Sequence, residues 1–112
     1  MRDLGVGALP ICGADDRLHG ILTDRDIVVK CIAEGRDPTN VRAGDLAQET
    51  LVWADAAAPV DEVLYKMENN QVKRLPVIEN HRLVGMITEA DLAHSLNRRR
   101  VAEFVEKVYT TA

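Results

Sequence analysis

The sequence predicts an α+β fold built from one β-α-β-β-α unit used twice, and three observations predict it. The first is an internal repeat. One copy reads Val6-Gly7-Ala8-Leu9-Pro10-Ile11-Cys12, a polar turn, then Leu18-His19-Gly20-Ile21-Leu22-Thr23-Asp24-Arg25-Asp26-Ile27. The other reads Val72-Lys73-Arg74-Leu75-Pro76-Val77-Ile78, a polar turn, then Leu83-Val84-Gly85-Met86-Ile87-Thr88-Glu89-Ala90-Asp91-Leu92. Leu-Pro, Gly, Thr and Asp recur in order, with one extra residue in the first turn. A repeat of this size marks one supersecondary unit whose core is completed by its neighbour. The second observation is a change of period inside each copy, from short branched runs to helical spacing after Thr23 and Thr88. The third is composition. Hydrophobic residues are 46% and charged residues 29% of the 112, as in ordinary globular chains, while aromatics are only 4%. The core must therefore be built from Val, Leu, Ile and Ala.

Taken in order, residues 8–12 and 18–22 form a hairpin around the polar turn at residues 13–17. Pro10 lies inside the first run, which places it at a bulge or on an edge strand. From Thr23 a helix follows, with Ile27, Val28, Cys31 and Ile32 on one face, ending near Gly35 with Pro38 beyond. Residues 35–45 read as a polar connection. Thr50-Leu51-Val52-Trp53 reads as a short strand. The next helix has Pro59 in its first turn and Val60, Val63, Leu64 and Met67 on its apolar face. A second hairpin spans residues 72–88, and a short helix runs from Glu89 to about Leu96. The last segment, residues 98–109, carries Val101, Phe104, Val105 and Val108 at helical spacing. That stripe needs cover from the modules or from a partner.

Superposing the copies aligns Met1 with Met67 and Pro10 with Pro76, so the first copy has no counterpart of residues 50–66. The expected organisation is a partial first module (1–45) lacking its leading strand and most of its first helix, a second module (46–97) and a C-terminal amphipathic helix (98–112). A half-module leaves a sheet edge and an apolar face unpaired. The expectation is that the stable species carries the equivalent of residues 50–66 or borrows it from a neighbouring chain.

The tandem of such units, each with Leu-Pro-apolar-apolar, Gly-apolar-apolar-Thr and Thr-x-x-Asp, resembles the cystathionine β-synthase (CBS) domain family. The likeness covers the chain from Met1 to about Leu96, and its details look like stand-alone two-module proteins of the bacterial hypoxic-response type. The resemblance implies a pseudo-twofold pair of modules and a regulatory role. It also implies clefts suited to adenosine-containing ligands such as AMP, ATP or S-adenosylmethionine. The family's ligand positions carry over to Thr23 and Asp26, and to Thr88 and Asp91.

Each Thr-x-x-Asp can do two things. Thr at a helix N-cap with an acid at the third helical position makes a capping box. The same turn presents free N–H groups to a phosphate, while an ionised carboxylate can accept both hydroxyls of a ribose. Arg25 could add a phosphate contact that Ala90 cannot, so ligand is expected to bind more strongly at the Thr23, Arg25, Asp26 site. His19, His81 and His94 lack zinc-type spacing, although His94 lies one turn after Asp91.

Neither a nucleophile elbow, a Walker loop nor a Gly-rich dinucleotide turn occurs, so the chain reads as non-enzymatic, without catalytic or metal-ligating residues. A net charge of −4 argues against nucleic acid as partner. No apolar run is long enough to span a membrane, and Cys12 and Cys31 are too few for a disulfide framework. The expected setting is cytoplasmic, as a homodimer. Two other roles stand beside ligand sensing: a ligand-free dimeric interaction scaffold, and a redox-responsive protein acting through Cys12.

Overall fold

Each copy of the repeat folds as an antiparallel hairpin whose second strand runs directly into a helix. The computed structural model describes residues 1–48 and 52–109. They fall in two compact units, Met1–Leu51 and Val52–Ala112.

In the first unit β1 (Ala8–Cys12) pairs antiparallel with β2 (Leu18–Thr23), and the register shifts between Ile11 and Cys12. The second unit repeats this with β4 (Arg74–Glu79) and β5 (Arg82–Thr88), shifting between Val77 and Ile78. The two bulges sit at equivalent positions, one residue beyond Pro10 and Pro76, so the repeat extends to its irregularities. The turns differ. Asn80 and His81 both have positive φ, 50° and 66°, as a two-residue hairpin turn requires. The longer first turn places only Asp16 there, at 62°.

After β2, α1 (Asp24–Ile27) loosens into a π-helical turn, Val28–Ile32, where Ala33 N–H donates to Val28 C=O and Arg36 N–H to Cys31 C=O. The wider turn breaks the expected apolar face. Cys31 is fully buried, but Val28 and Ile32 are exposed. The connection at 35–45 is also more ordered than its polarity suggested. Pro38–Asn40 forms a 3-10 turn, and α2 (Ala43–Leu46) sends Leu46 into a small core with Leu22 and Cys31. Gln48 then bridges to Ile21 beside β2, its N–H donating to Ile21 C=O at 2.9 Å.

In the second unit, β3 (Ala54–Asp55) lies parallel to β4, giving the order β3-β4-β5. The strand expected at residues 50–53 is thus displaced: Val52 and Trp53 are not in it, and Thr50 and Leu51 lie outside the described residues. Pro59 caps α3 (Val60–Asn70) rather than occupying its first turn, and Val60 is exposed while Val63, Leu64 and Met67 are buried. α4 (Glu89–Ser95) follows β5, and α5 (Arg98–Tyr109) closes the unit.

The stripe of α5 takes its cover from its own unit, in part. Phe104 and Val108 belong to the core of their own unit, with Met67, Leu75 and Leu92, whereas Val105 faces out. A buried ionic contact fixes this packing. Glu68 of α3, with its side chain 8% exposed, meets Arg100 at 2.7 Å and Lys107 at 3.4 Å. Among the described residues no helix is long and apolar enough to cross a membrane.

The two faces of α5 predict unequal costs. Phe104→Ala should lower the unfolding free energy by about 3–5 kcal/mol through the cavity it leaves. Val105→Ala, at an exposed site, should stay within about 0.5 kcal/mol. Urea denaturation measures both, and equal losses would contradict this packing.

Candidate functional site

At the strand-to-helix joint of each unit, the last strand residue is also the helix N-cap. Thr23 is extended (φ −109°, ψ 160°) and so is Thr88 (φ −121°, ψ 165°). Each begins a helix by accepting the third helical N–H on its hydroxyl: Asp26 N–H to Thr23 Oγ1 at 3.1 Å and Asp91 N–H to Thr88 Oγ1 at 3.4 Å. Each Asp returns a bond, its Oδ2 accepting the N–H of its Thr at 2.9 Å. Both motifs are therefore closed capping boxes.

Their surroundings differ. Asp26 is 6% exposed. Beyond Thr23, its carboxylate takes the Lys30 ammonium at 3.1 Å and the Gln48 amide at 3.3 and 3.5 Å. Lys30 also donates to Leu46 C=O at 3.1 Å, so this carboxylate ties β2, the π turn and α2 together. Burial works against the charged form of Asp26, but the hydrogen bonds from Thr23 and the Lys30 ammonium outweigh it and hold the carboxyl below its ordinary value. Arg25, beside it, is exposed and lines a shallow hollow with Asp24, Val28 and Val29.

Asp91 is exposed, and among the described residues its hydrogen bonds are to Thr88 alone: besides the backbone contact, Thr88 Oγ1 stands 3.1 Å from its Oδ2. Next to it, Glu89 accepts the Tyr109 hydroxyl at 2.9 and 3.0 Å, which anchors the end of α5 to the start of α4. The hairpin register supplies a residue that the sequence reading missed. Arg74 is the cross-strand partner of Thr88, so the two side chains share one face of the sheet. The equivalent partner of Thr23 is Ala8. The cation has moved between copies, from the helix (Arg25) to the strand (Arg74). The turn length alone counts Arg74 opposite Ile87; the bulge between Val77 and Ile78 shifts the register by one and sets Arg74 opposite Thr88, so the sequence signal for it is incomplete.

The remaining candidates do not gather at either joint. Both cysteines are free thiols, Cys12 exposed and Cys31 buried. Burial raises the Cys12 thiol above its ordinary value, and the Asp16 and Asp15 carboxylates push it the same way. His19 is the extra residue at the bulge of β2, with its ring against Gly13, and His81 sits in the second turn. His94 lies in the last turn of α4. Among the described residues no three His, Cys, Asp or Glu side chains converge as metal ligands would.

Comparison with known proteins matches the CBS domain family model at residues 1–32 and 43–98. Hypoxic response protein 1 of Mycobacterium tuberculosis is 53% identical over 108 residues, covering 96% of this chain and 76% of that protein. An uncharacterized protein of Bacillus subtilis, YlbB, is 41% identical over 85% of this chain and 64% of its own length. Among solved structures, Hypoxic Response Protein I with two coordinated zinc ions is similar at TM-score 0.77 and 57% identity, covering 87% of this chain and 78% of that one. The CBS domain pair of protein MJ0100, in complex with 5′-methylthioadenosine and S-adenosyl-L-methionine, is similar at TM-score 0.70 and 26% identity, over 83% of this chain and 72% of that one.

The Asp26 cluster makes stability depend on pH in one direction. Its folded carboxyl titrates below the unfolded value of about 3.9, so its contribution is complete above that value and is lost as pH falls through the folded one. The stability gap between the wild type and Asp26→Asn should be full at neutral pH and shrink below about pH 4. Urea denaturation across a pH series reads it. A gap constant across the series would contradict the role of this carboxylate.

Proposed function

This chain belongs to the CBS-domain family, and from that membership we propose that it is a non-enzymatic regulatory module of two CBS units that senses an adenosine-containing ligand, in the class of AMP, ATP and S-adenosylmethionine. The observation that carries the reading is the second joint, where Thr88, an exposed Asp91 and Arg74 share one edge of the unit. An exposed carboxylate one turn into a helix accepts the two hydroxyls of a ribose. The Thr88 hydroxyl and the Arg74 guanidinium serve a phosphate or carboxylate on the same ligand. The distant MJ0100 pair, with methylthioadenosine and S-adenosylmethionine bound, supports that ligand class.

Thr23, Arg25 and Asp26 form the equivalent site in the first unit. Arg25 gives it a cation, but a ribose there must first displace Lys30 and Gln48 from Asp26. The second site is therefore the more readily filled, because among the described residues the Asp91 side chain is held by Thr88 alone. Ligand shifts the module between arrangements only as far as it prefers one of them.

Hypoxic Response Protein I was solved with two coordinated zinc ions. A zinc centre needs three or four convergent donors, and the described residues supply no such group. A redox role for Cys12 is disfavoured by the raised thiol, since the thiolate is the reactive form. The ligand-free scaffold has one observation in its favour, that both motifs are already spent as capping boxes. The 53% identity to Hypoxic response protein 1 is the ground for proposing a place in a low-oxygen response; the cytoplasmic setting and the homodimer stay proposals carried from the sequence.

An adenosine ligand at about 100 times its dissociation constant should stabilise the fold by about 2.7 kcal/mol. Thermal shift and calorimetric titration with AMP, ATP and S-adenosylmethionine measure this. Asp91→Ala and Arg74→Ala should weaken binding more than Asp26→Ala or Arg25→Ala. If none of these compounds shifts the transition, the scaffold reading replaces the sensor reading.

A further inference from the structure

We propose that Tyr109 is a positioning residue of the second site: its hydroxyl holds the Glu89 carboxylate toward α5, which leaves the Arg74 guanidinium available for a phosphate on the ligand. This rests on the sensor reading above and names the part of the ligand that Tyr109 governs.

The open end of the β4–β5 ladder gathers more charge than its capping box uses. Arg74 and Thr88 form the terminal pair. Each has a charged neighbour just outside it, Lys73 before Arg74 and Glu89 after Thr88. Tyr109, the last residue of α5, meets both neighbours. Its hydroxyl donates to Glu89, standing 2.9 and 3.0 Å from the two carboxylate oxygens, and its ring centre lies 4.3 Å from the Lys73 ammonium. α5 does not need these contacts to stay seated. Phe104 and Val108 hold it in the core, and Glu68 pairs with Arg100 and Lys107.

The contact matters for what Glu89 would otherwise do. Side chains paired across an antiparallel ladder stand about 5 Å apart at their Cβ atoms. A carboxylate one residue beyond Thr88 is therefore within reach of the long Arg74 side chain. Arginine forms with a carboxylate the same two-pronged contact that it forms with a phosphate, so the two compete for it. Yet among the described residues Arg74 makes no ion pair. Tyr109 supplies the reason, because it gives the competing carboxylate another partner. The first joint has no such arrangement. Asp24, in the place of Glu89, accepts the Arg25 N–H at 2.9 Å, and the residue opposite Thr23 is Ala8.

Calorimetric titration of the intact chain with AMP, and with adenosine as the phosphate-free control, tests this. Tyr109→Phe keeps the ring beside Lys73 and alters a half-exposed position, so the core is undisturbed. It should raise the AMP dissociation constant by about fivefold or more, because the phosphate must then take Arg74 from Glu89. Adenosine binding should not change. Adding Glu89→Gln to Tyr109→Phe should restore AMP binding, since the competing charge is gone. Unchanged AMP binding in Tyr109→Phe would overturn the proposal. So would a loss shared equally by AMP and adenosine, or one that Glu89→Gln does not restore, because the contact would then be structural only. If neither compound binds the wild type, the role of Tyr109 falls, and the sensor reading falls with it only when S-adenosylmethionine also fails to bind.

Discussion

The hydrogen-bond exchange between Thr and Asp at each strand-to-helix joint is the contact on which the structure turns. In both copies a single threonine ends a strand in extended conformation and caps a helix, and its partner aspartate closes the box. Because Thr23 and Thr88 belong to the ladder and to the helix at once, the hairpin register dictates where each helix starts and which way it leaves the sheet. Leu92 reaches the core of its unit only because Thr88 ends the strand where it does. The same geometry gathers helix N–H groups, a hydroxyl and a carboxylate at each joint, buried at Asp26 and exposed at Asp91, so the element that organises each unit also creates its candidate site.

Two copies of one joint then diverge through their neighbours. In the first, Lys30 and Gln48 converge on Asp26, and a carboxylate that could hold a ligand instead ties a thin core of Leu22, Cys31 and Leu46 to the segment that follows it. In the second unit, stability comes from elsewhere: a larger apolar cluster around Met67, Leu75 and Phe104, and the Glu68 ion pairs that fasten α5. Asp91 is thereby relieved of structural work beyond its cap. Duplicated motifs need not keep duplicated roles, and here packing separates an anchoring copy from an available one.

The sequence makes some of this legible and hides the rest for physical reasons. The hairpins and the joints are readable because period-two runs, turn residues and the Thr-x-x-Asp spacing are local signals. Lys30 is readable in principle, four residues after Asp26 on a helix. Gln48, 22 residues away, has no local signal, because it reaches Asp26 through the bridge to Ile21. The π turn at Val28–Ile32 is hidden as well. Its residues match an α-helical stripe, and only packing shows Cys31 inside with Val28 and Ile32 outside. The strand at Ala54–Asp55 is two residues long, too short to outcompete the branched run before it. For α5, periodicity locates the stripe but not its cover. Phe104 and Val108 pack on their own unit, and the glutamate that confirms this, Glu68, belongs to a different helix.

The central claim is that the second joint, not the first, is the open adenosine site. An amide-resolved magnetic-resonance titration of the isotope-labelled chain with AMP, and separately with S-adenosylmethionine, tests it most directly. The account predicts that the amides of Thr88, Glu89, Ala90 and Asp91, with Arg74 across the ladder, shift at lower ligand concentration than those of Thr23, Asp24, Arg25 and Asp26. Shifts that appear first at Thr23–Asp26, or at neither joint with either compound, would contradict it.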